Sequence, residues 1–258
     1  MCKKIKMQDS RCKIQVLHLK FLLATIFLQL ATCNLQLSFA LTPQEVLEKV
    51  DNIRAPDRTF IFNLKVTVKK GDDEDVSEFS VRVKDAKKSL VVFKSPPSNK
   101  GRVLLMVEDN MWIYIPGTRN PIRISPQQQI MGRVSNGDVA RVVYNLDYNV
   151  ESLENEGEII KMTLAAKTKG AAYKSINLWI EKETFKPIKA EFFALSGKLL
   201  KTGYYKGYKE ILGKERPTII EIHDGIKEPE ISIMEYSNIK LEDTPDAHFQ
   251  KTFMERVK

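Results

Sequence analysis

The sequence predicts a mainly β protein, built as a single large, twisted antiparallel sheet that closes or nearly closes on itself. Two observations carry this expectation. From residue 60 onward the apolar residues recur with period two in about a dozen segments, the spacing of strands with one buried face. Short turns separate these segments, and no Gly/Ser/Pro-rich linker divides them, so one domain is expected. A length of 258 residues suits this, because β barrels commonly reach roughly 200–250 residues as one unit.

The first element after the leader reads as a helix. Thr42-Pro43-Gln44-Glu45 is a capping box with proline at the first helical position, Val46, Leu47, Val50 and Ile53 follow at helical spacing, and Pro56 stops it. The period then changes. Phe60, Phe62, Leu64, Val66 and Val68 alternate with Asn63, Lys65, Thr67 and Lys69, giving a strand over 60–69. Gly71 and the acids Asp72 to Asp75 form a solvated turn, and Phe79, Val81 and Val83 mark the return strand. Further strands are expected at 90–94, 102–108, 111–115 and 121–124, with turns at Asp109-Asn110 and Pro116-Gly117. After Val143 the pattern resumes at 146–153, 158–167, 173–181, 188–195, 199–208, 218–223 and 230–241. The one break lies at 125–144. There Ser125-Pro126 is expected to open one short helix and Asn136-Gly137-Asp138 to lead into a second over 139–144. Both would cover or plug the mouth of the barrel.

The chain carries 41 Lys+Arg against 33 Asp+Glu, a net charge of +8 that invites a nucleic-acid reading. Most of the excess sits in the first 40 residues, where Lys3, Lys4, Lys6, Arg11, Lys13 and Lys20 face only Asp9. An apolar run from Phe21 to Leu30 follows, and the segment ends Ser38-Phe39-Ala40 with small residues at −3 and −1. These are the parts of a secretory signal peptide, expected to be cleaved after Ala40 to leave residues 41–258. Two alternatives are a lipobox at Leu30-Ala31-Thr32-Cys33, with Cys33 acylated, and an uncleaved anchor over 21–41, interrupted by Gln29, Asn34 and Gln36. All three readings export the domain, so the expected location is the periplasm.

Beyond the leader the basic and acidic residues nearly balance, and the basic residues form no stripe. Tyr204-Tyr205-Lys206-Gly207-Tyr208-Lys209 is the single local interleaving of aromatic and basic residues and reads as a solvated strand, so no nucleic-acid partner is expected. The three cysteines are at 2, 12 and 33, and only His223 and His248 lie outside the leader. That leaves no thiol nucleophile, disulfide or cysteine metal site in the domain, and His223 beside Asp224 has no activated serine to serve. Neither a cofactor nor a metal is expected, nor is enzymatic activity; phosphate-binding and nucleophile-elbow motifs are missing.

The positive signal is a face of large apolar side chains on nearly every strand. The candidate cavity lining comprises Phe60, Phe62, Leu64, Phe79, Val81, Met106, Trp112, Tyr114, Leu164, Leu178 and Phe192, with Ile130, Met131 and Val134 from the covering segment. A filled core explains any one of these. A dozen strands, however, curl into a barrel wider than side chains fill, so a plug of protein or ligand is required.

Met111-Trp112-Ile113-Tyr114-Ile115-Pro116, the basic stretch running to Arg123-Ile124-Ser125, Met131-Gly132 and Asp138 together resemble the motif of the outer-membrane lipoprotein-sorting protein family, relatives of the LolA/LolB periplasmic carriers. The closing segment from Asp246 to Arg256 is also similar to that family's ending, and the resemblance spans residues 41–258. It departs at Asn136-Gly137-Asp138-Val139, where the family usually has Gly-Ser-Asp-aromatic. The resemblance implies a half-open antiparallel barrel whose N-terminal helix and short lid helices close over an apolar cavity. It further implies binding of acyl chains and shuttling across the periplasm, so the leading expectation is a monomeric carrier or chaperone that takes acyl chains of lipoproteins or lipids, with an inner-membrane transporter complex as partner, and helps deliver them to the outer membrane. The alternatives are an accessory binding subunit of a membrane lipid or export transporter that ferries no cargo itself, and an exported lipid-modifying enzyme.

Overall fold

A computed structural model describes residues 41–225 and 230–257. The leader, with its cleavage site and Cys33, lies outside the described residues, and a division of the chain into units falls between Leu41 and Thr42.

Helix α1 (Pro43–Arg54) begins as expected: the Thr42 hydroxyl accepts from the Glu45 amide while the Glu45 carboxylate accepts from the Thr42 amide. Such a cap is worth about 1 kcal/mol. At the other end Arg216 donates to the carbonyls of Asn52 and Ile53, which the helix itself leaves unsatisfied.

Thirteen strands make one antiparallel sheet. In chain order they are β1 (Phe60–Lys70), β2 (Asp73–Lys84), β3 (Lys88–Ser95), β4 (Val103–Val107), β5 (Asn110–Tyr114) and β6 (Ile122–Ile124), then, after the crossing segment, β9 (Tyr148–Glu156), β10 (Ile159–Ala166), β11 (Ser175–Glu181), β12 (Pro187–Phe193), β13 (Leu199–Ile211), β14 (Lys214–Asp224) and β15 (Glu230–Leu241). Their spatial order is β6-β5-β4-β3-β2-β1-β15-β14-β13-β12-β11-β10-β9. The first and last strands, β1 and β15, pair at the centre, with Leu64 opposite Tyr236 and Val66 opposite Met234. The two outermost strands, β6 and β9, do not pair, so the sheet is a half-open barrel.

The segment at 125–144 differs from the two expected helices. Residues 129–135 form a small hairpin, β7 (Gln129–Met131) and β8 (Val134–Ser135), turned by Gly132 at φ 50°. Helix α2 (Asn136–Ala140) follows, and it ends at Ala140 instead of running on to Tyr144. Ser135 decides the start: its hydroxyl accepts from the Asp138 amide, and the Asp138 carboxylate accepts from the Ser135 amide at 2.7 Å. That capping box lies within the motif where the turn was placed.

Three apolar clusters hold the sheet. One joins the inner faces of β1 to β4 to Val134, Val139, Ala140 and Val143 of the crossing segment. A second joins α1, through Val46, Leu47 and Val50, to the inner faces of β10 to β13. The third lies on the outer face, where 3-10 turns at Asp246–Phe249 and Lys251–Arg256 lay Phe249 and Met254 over Leu90, Val103 and Leu105. Strand β4 is therefore buried on both faces, which explains its five consecutive apolar residues. Met254 is fully buried, and Met254→Ala is expected to lower stability by about 2–5 kcal/mol. Urea unfolding checks this; a change below about 0.5 kcal/mol would mean that the terminal turns merely rest on the sheet. Among the described residues, no helix is long and apolar enough to cross a membrane.

Candidate functional site: a lidded apolar cavity

Strands β6 and β9 are the free edges of the sheet, yet they are consecutive strands of it along the chain. The intervening residues 125–147 must therefore travel from one edge to the other, and the structure ties them to elements on both sides. The Ser89 hydroxyl donates to the Ala140 carbonyl at 2.6 Å, the Arg133 amide donates to the Ser232 hydroxyl at 3.0 Å, and Lys201 donates to the Arg133 carbonyl at 2.9 Å. The amides of Tyr144 and Asn145 donate to the Asp51 carboxylate at 2.7–2.8 Å. This crossing segment is a lid.

Gly132 is where the lid comes closest to the sheet. A Cβ there would stand 2.6 Å from Val68 Cγ2 and 2.7 Å from Ser232 Oγ, on backbone with positive φ. Gly132→Ala is expected to lift the hairpin and destabilise by about 1–3 kcal/mol. Amide exchange should then quicken in residues 125–147 before it does in β10 to β12. Equal exchange in the lid of both proteins would show that the contact holds nothing shut.

Beneath the lid is a cavity of about 80 Å³, counted as space open to the centre of a water molecule. At roughly 10–15 Å³ per water by that measure, it admits a few waters or a short stretch of hydrocarbon. A long chain is larger than that space. Phe60, Phe62, Phe192, Ile220, Ile222 and Met234 line it from the sheet, Val139 and Val142 from the lid.

One flank of the cavity is polar. Asp138 receives the Tyr173 hydroxyl at 2.8 Å, the Ser135 hydroxyl at 2.9 Å and the Lys201 ammonium. Burial lowers the Lys201 pKa, and the Asp138 charge opposes that shift. Tyr144 and Tyr205 share a hydrogen bond of 2.7 Å between their hydroxyls. Burial pushes Tyr144, Tyr148 and Tyr173 upward, so these hydroxyls stay protonated.

Two arginines also line the cavity. Arg141 is engaged: its Nη2 donates to the Glu108 carbonyl at 2.8 Å, and its Nε lies 2.7 Å from Asp147 in an ion pair bent out of hydrogen-bond geometry. Arg54, the last residue of α1, lies with its guanidinium carbon 3.7 Å from the Tyr144 ring centroid and donates Nη1 to Asp51 at 3.1 Å. Its Nε is shut from solvent and meets no acceptor. Such a group costs about 1–3 kcal/mol where it stands. Burial also raises the pKa of Asp51, against the pull of Arg54 and the two lid amides.

The expected cavity residues fall into four places. Phe60, Phe62 and Phe192 line the cavity. Leu64, Phe79, Val81, Met106 and Val134 are packed solid in the first inner cluster, with Ile130 and Met131 of the lid hairpin against it. Leu164 and Leu178 lie with Phe192 in the cluster under α1. Trp112 and Tyr114 stand elsewhere: paired with Leu105 and Val103, they face the outer cluster under the terminal turns, with Lys251 Nζ 4.7 Å from the Trp112 ring centroid. Their parity on β5 was legible, but which face was inner was not, because β4 is apolar at every position.

Sequence reading missed Arg54, Tyr144, Tyr173, Tyr205, Met234 and Tyr236. The apolar parity of 230–241 contained a signal for Met234. Arg54 carried none, since a cation in a last helical turn ordinarily complements the helix dipole in water. Among the described residues no group of His, Cys, Asp or Glu gathers as metal ligands.

A family model whose description reads "Uncharacterized protein" matches residues 85–256. No curated protein matches the sequence. Among solved structures, a LolA superfamily protein from Nitrosomonas europaea is 36% identical, covers 83% of this chain and 100% of its own, and superposes with a TM-score of 0.78. A domain from Vibrio parahaemolyticus described as outer membrane lipoprotein-sorting is 18% identical over 83% of this chain and 98% of its own, with a TM-score of 0.69. A DUF1329 family protein from Desulfovibrio piger is 20% identical over 82% and 97%, with a TM-score of 0.68. The last two share the fold. With the half-open sheet and its lid in place, the identity to the first relative shows that this chain belongs to the LolA superfamily.

Proposed function

We propose that this protein is an exported, non-enzymatic carrier that takes acyl chains of lipoproteins or lipids into the lidded cavity and helps deliver them to the outer membrane. The observation that carries the reading is the apolar cavity closed by a segment spanning the two free edges of the sheet. Each methylene moved out of water contributes roughly 0.8 kcal/mol, so a long chain gains on the order of 10 kcal/mol. A carrier must offer that gain and still release its cargo. A lid whose apolar residues fill the space when no chain is bound meets both needs, since the cost of displacing it is subtracted from the binding free energy.

In this reading the domain works in the periplasm as a monomer, after cleavage of residues 1–40, and an inner-membrane transporter complex is its donor. Membership of the LolA superfamily and the leader's basic and apolar segments support this. Native mass spectrometry of the protein isolated from its own cell envelope tests the reading. Acyl-bearing adducts are expected; a protein that carries none and takes up no fluorescent fatty-acid probe would overturn it.

A further inference from the structure

We infer that the cavity selects amphiphiles with an anionic head, a long-chain carboxylate or phosphate ester, and that Arg54 is the residue that reads the charge. The inference rests on the acyl-carrier reading above and names the ligand class for that same cavity.

The apolar lining explains affinity for a hydrocarbon chain but not the presence of a guanidinium among its walls. Both cavity arginines could have been structural, and Arg141 is: a carbonyl and a carboxylate engage it. Arg54 differs. One face lies on the Tyr144 ring and Nη1 is held by Asp51, so the group is fixed in position. Asp51 in turn is taken up by the amides of Tyr144 and Asn145. The guanidinium is left with a buried Nε–H that has no acceptor among the described residues. Nε is closed to water under the lid, so a ligand oxygen reaches it only as the lid is displaced; a planar fork of fixed orientation with a spare donor then matches the oxygens of a carboxylate or phosphate. The Tyr144 and Tyr205 hydroxyls beside it bond each other at 2.7 Å, and whichever of the two accepts in that bond keeps its own O–H to donate to the same oxygens.

An uncharged acyl ester would bury its chain equally well but offer the guanidinium only a neutral carbonyl oxygen. An anion makes a charge-assisted bond, about twice as strong as a neutral one, and the low polarity around it strengthens that bond further. Because α1 carries Arg54 and the lid carries Tyr144, the head group would sit where helix and lid meet, with its chain running along Phe60, Phe62 and Met234.

The test compares three probes of one chain length: oleate, 1-oleoyl lysophosphatidate and uncharged oleyl alcohol. They are titrated into the protein purified from cells expressing the full chain, as wild type, Arg54→Gln and Arg54→Lys. The wild type is expected to bind at least one of the two anions about tenfold or more tightly than the alcohol, and whichever anion is preferred identifies the head group. Arg54→Gln should abolish that preference, and Arg54→Lys should keep only part of it. Equal affinity for all three probes in the wild type, or a preference that survives Arg54→Gln, would overturn the inference. Binding of none of them, the alcohol included, would instead overturn the carrier reading. Should Arg54→Gln fail to fold, the carboxyl carbon resonance of labelled oleate bound to the wild type decides. It should remain that of a carboxylate at pH values where free oleate has taken up its proton, and titration as in water would overturn the inference.

Discussion

Asp138→Ala is expected to open the lid and lower stability by about 3–5 kcal/mol. The Asp138 carboxylate closes the capping box of α2, accepts from Tyr173, and pairs with Lys201, whose side chain is 4% exposed. Removing it leaves an ammonium buried without a counter-ion, which is the costly way to break a buried pair. Removing both partners is milder, because no charge remains stranded. The double variant Asp138→Ala, Lys201→Met should therefore recover most of the loss, though not the part due to the cap, about 1 kcal/mol. Thermal and urea unfolding of the three proteins checks this. If Asp138→Ala unfolds within about 1 kcal/mol of the wild type, or the double variant is the worst of the three, the pair does not hold the lid.

Ile220→Trp is expected to reduce acyl-chain binding by tenfold or more while the protein stays folded. Ile220 is only half-buried, lines the cavity from β14, and has open space in front of it. A larger ring there occupies room that hydrocarbon would take. Excluding only two methylenes forfeits about 1.6 kcal/mol of transfer free energy, more than a factor of ten. Trp112→Asp is the contrasting change, because Trp112 lies on the outer face beneath the terminal turns. It should weaken the packing of Phe253 and Lys251 without altering the chain preference of the cavity. Probe titrations of the two variants, read beside their unfolding curves, separate cavity from core. An effect on binding from Trp112→Asp but none from Ile220→Trp would move the site to the other face of the sheet.

The sheet itself was legible because period-two alternation is a direct record of one buried face: Phe60 to Val68 and Phe79 to Val83 fall where expected. Helix α1 was legible through its capping box. The lid was located but its form was not, since the short apolar run at Ile130 and Met131 suits a hairpin as well as a helix, and only the Ser135–Asp138 cap fixes where α2 begins. The polar side of the site was hidden for a different reason. Arg54, Tyr173 and Lys201 come from three separate segments and Asp138 and Tyr144 from the lid, and each alone looks like an ordinary surface residue. Only the crossing of the lid from β6 to β9 brings them together under cover. Trp112 shows the converse: an aromatic residue expected on the inner face that has the outward parity, on a strand whose neighbour is buried on both faces.

The lid is the part on which everything else depends, and Gly132 is the place to loosen it, because a Cβ there would stand 2.6 Å from Val68 Cγ2 and 2.7 Å from Ser232 Oγ. The decisive measurement is the rate at which a fluorescent acyl probe enters the wild type and the Gly132→Ala protein, read beside amide exchange in residues 125–147. A movable lid over an acyl cavity predicts faster entry into Gly132→Ala. Equal rates of entry, with exchange in the lid already quickened, would contradict it.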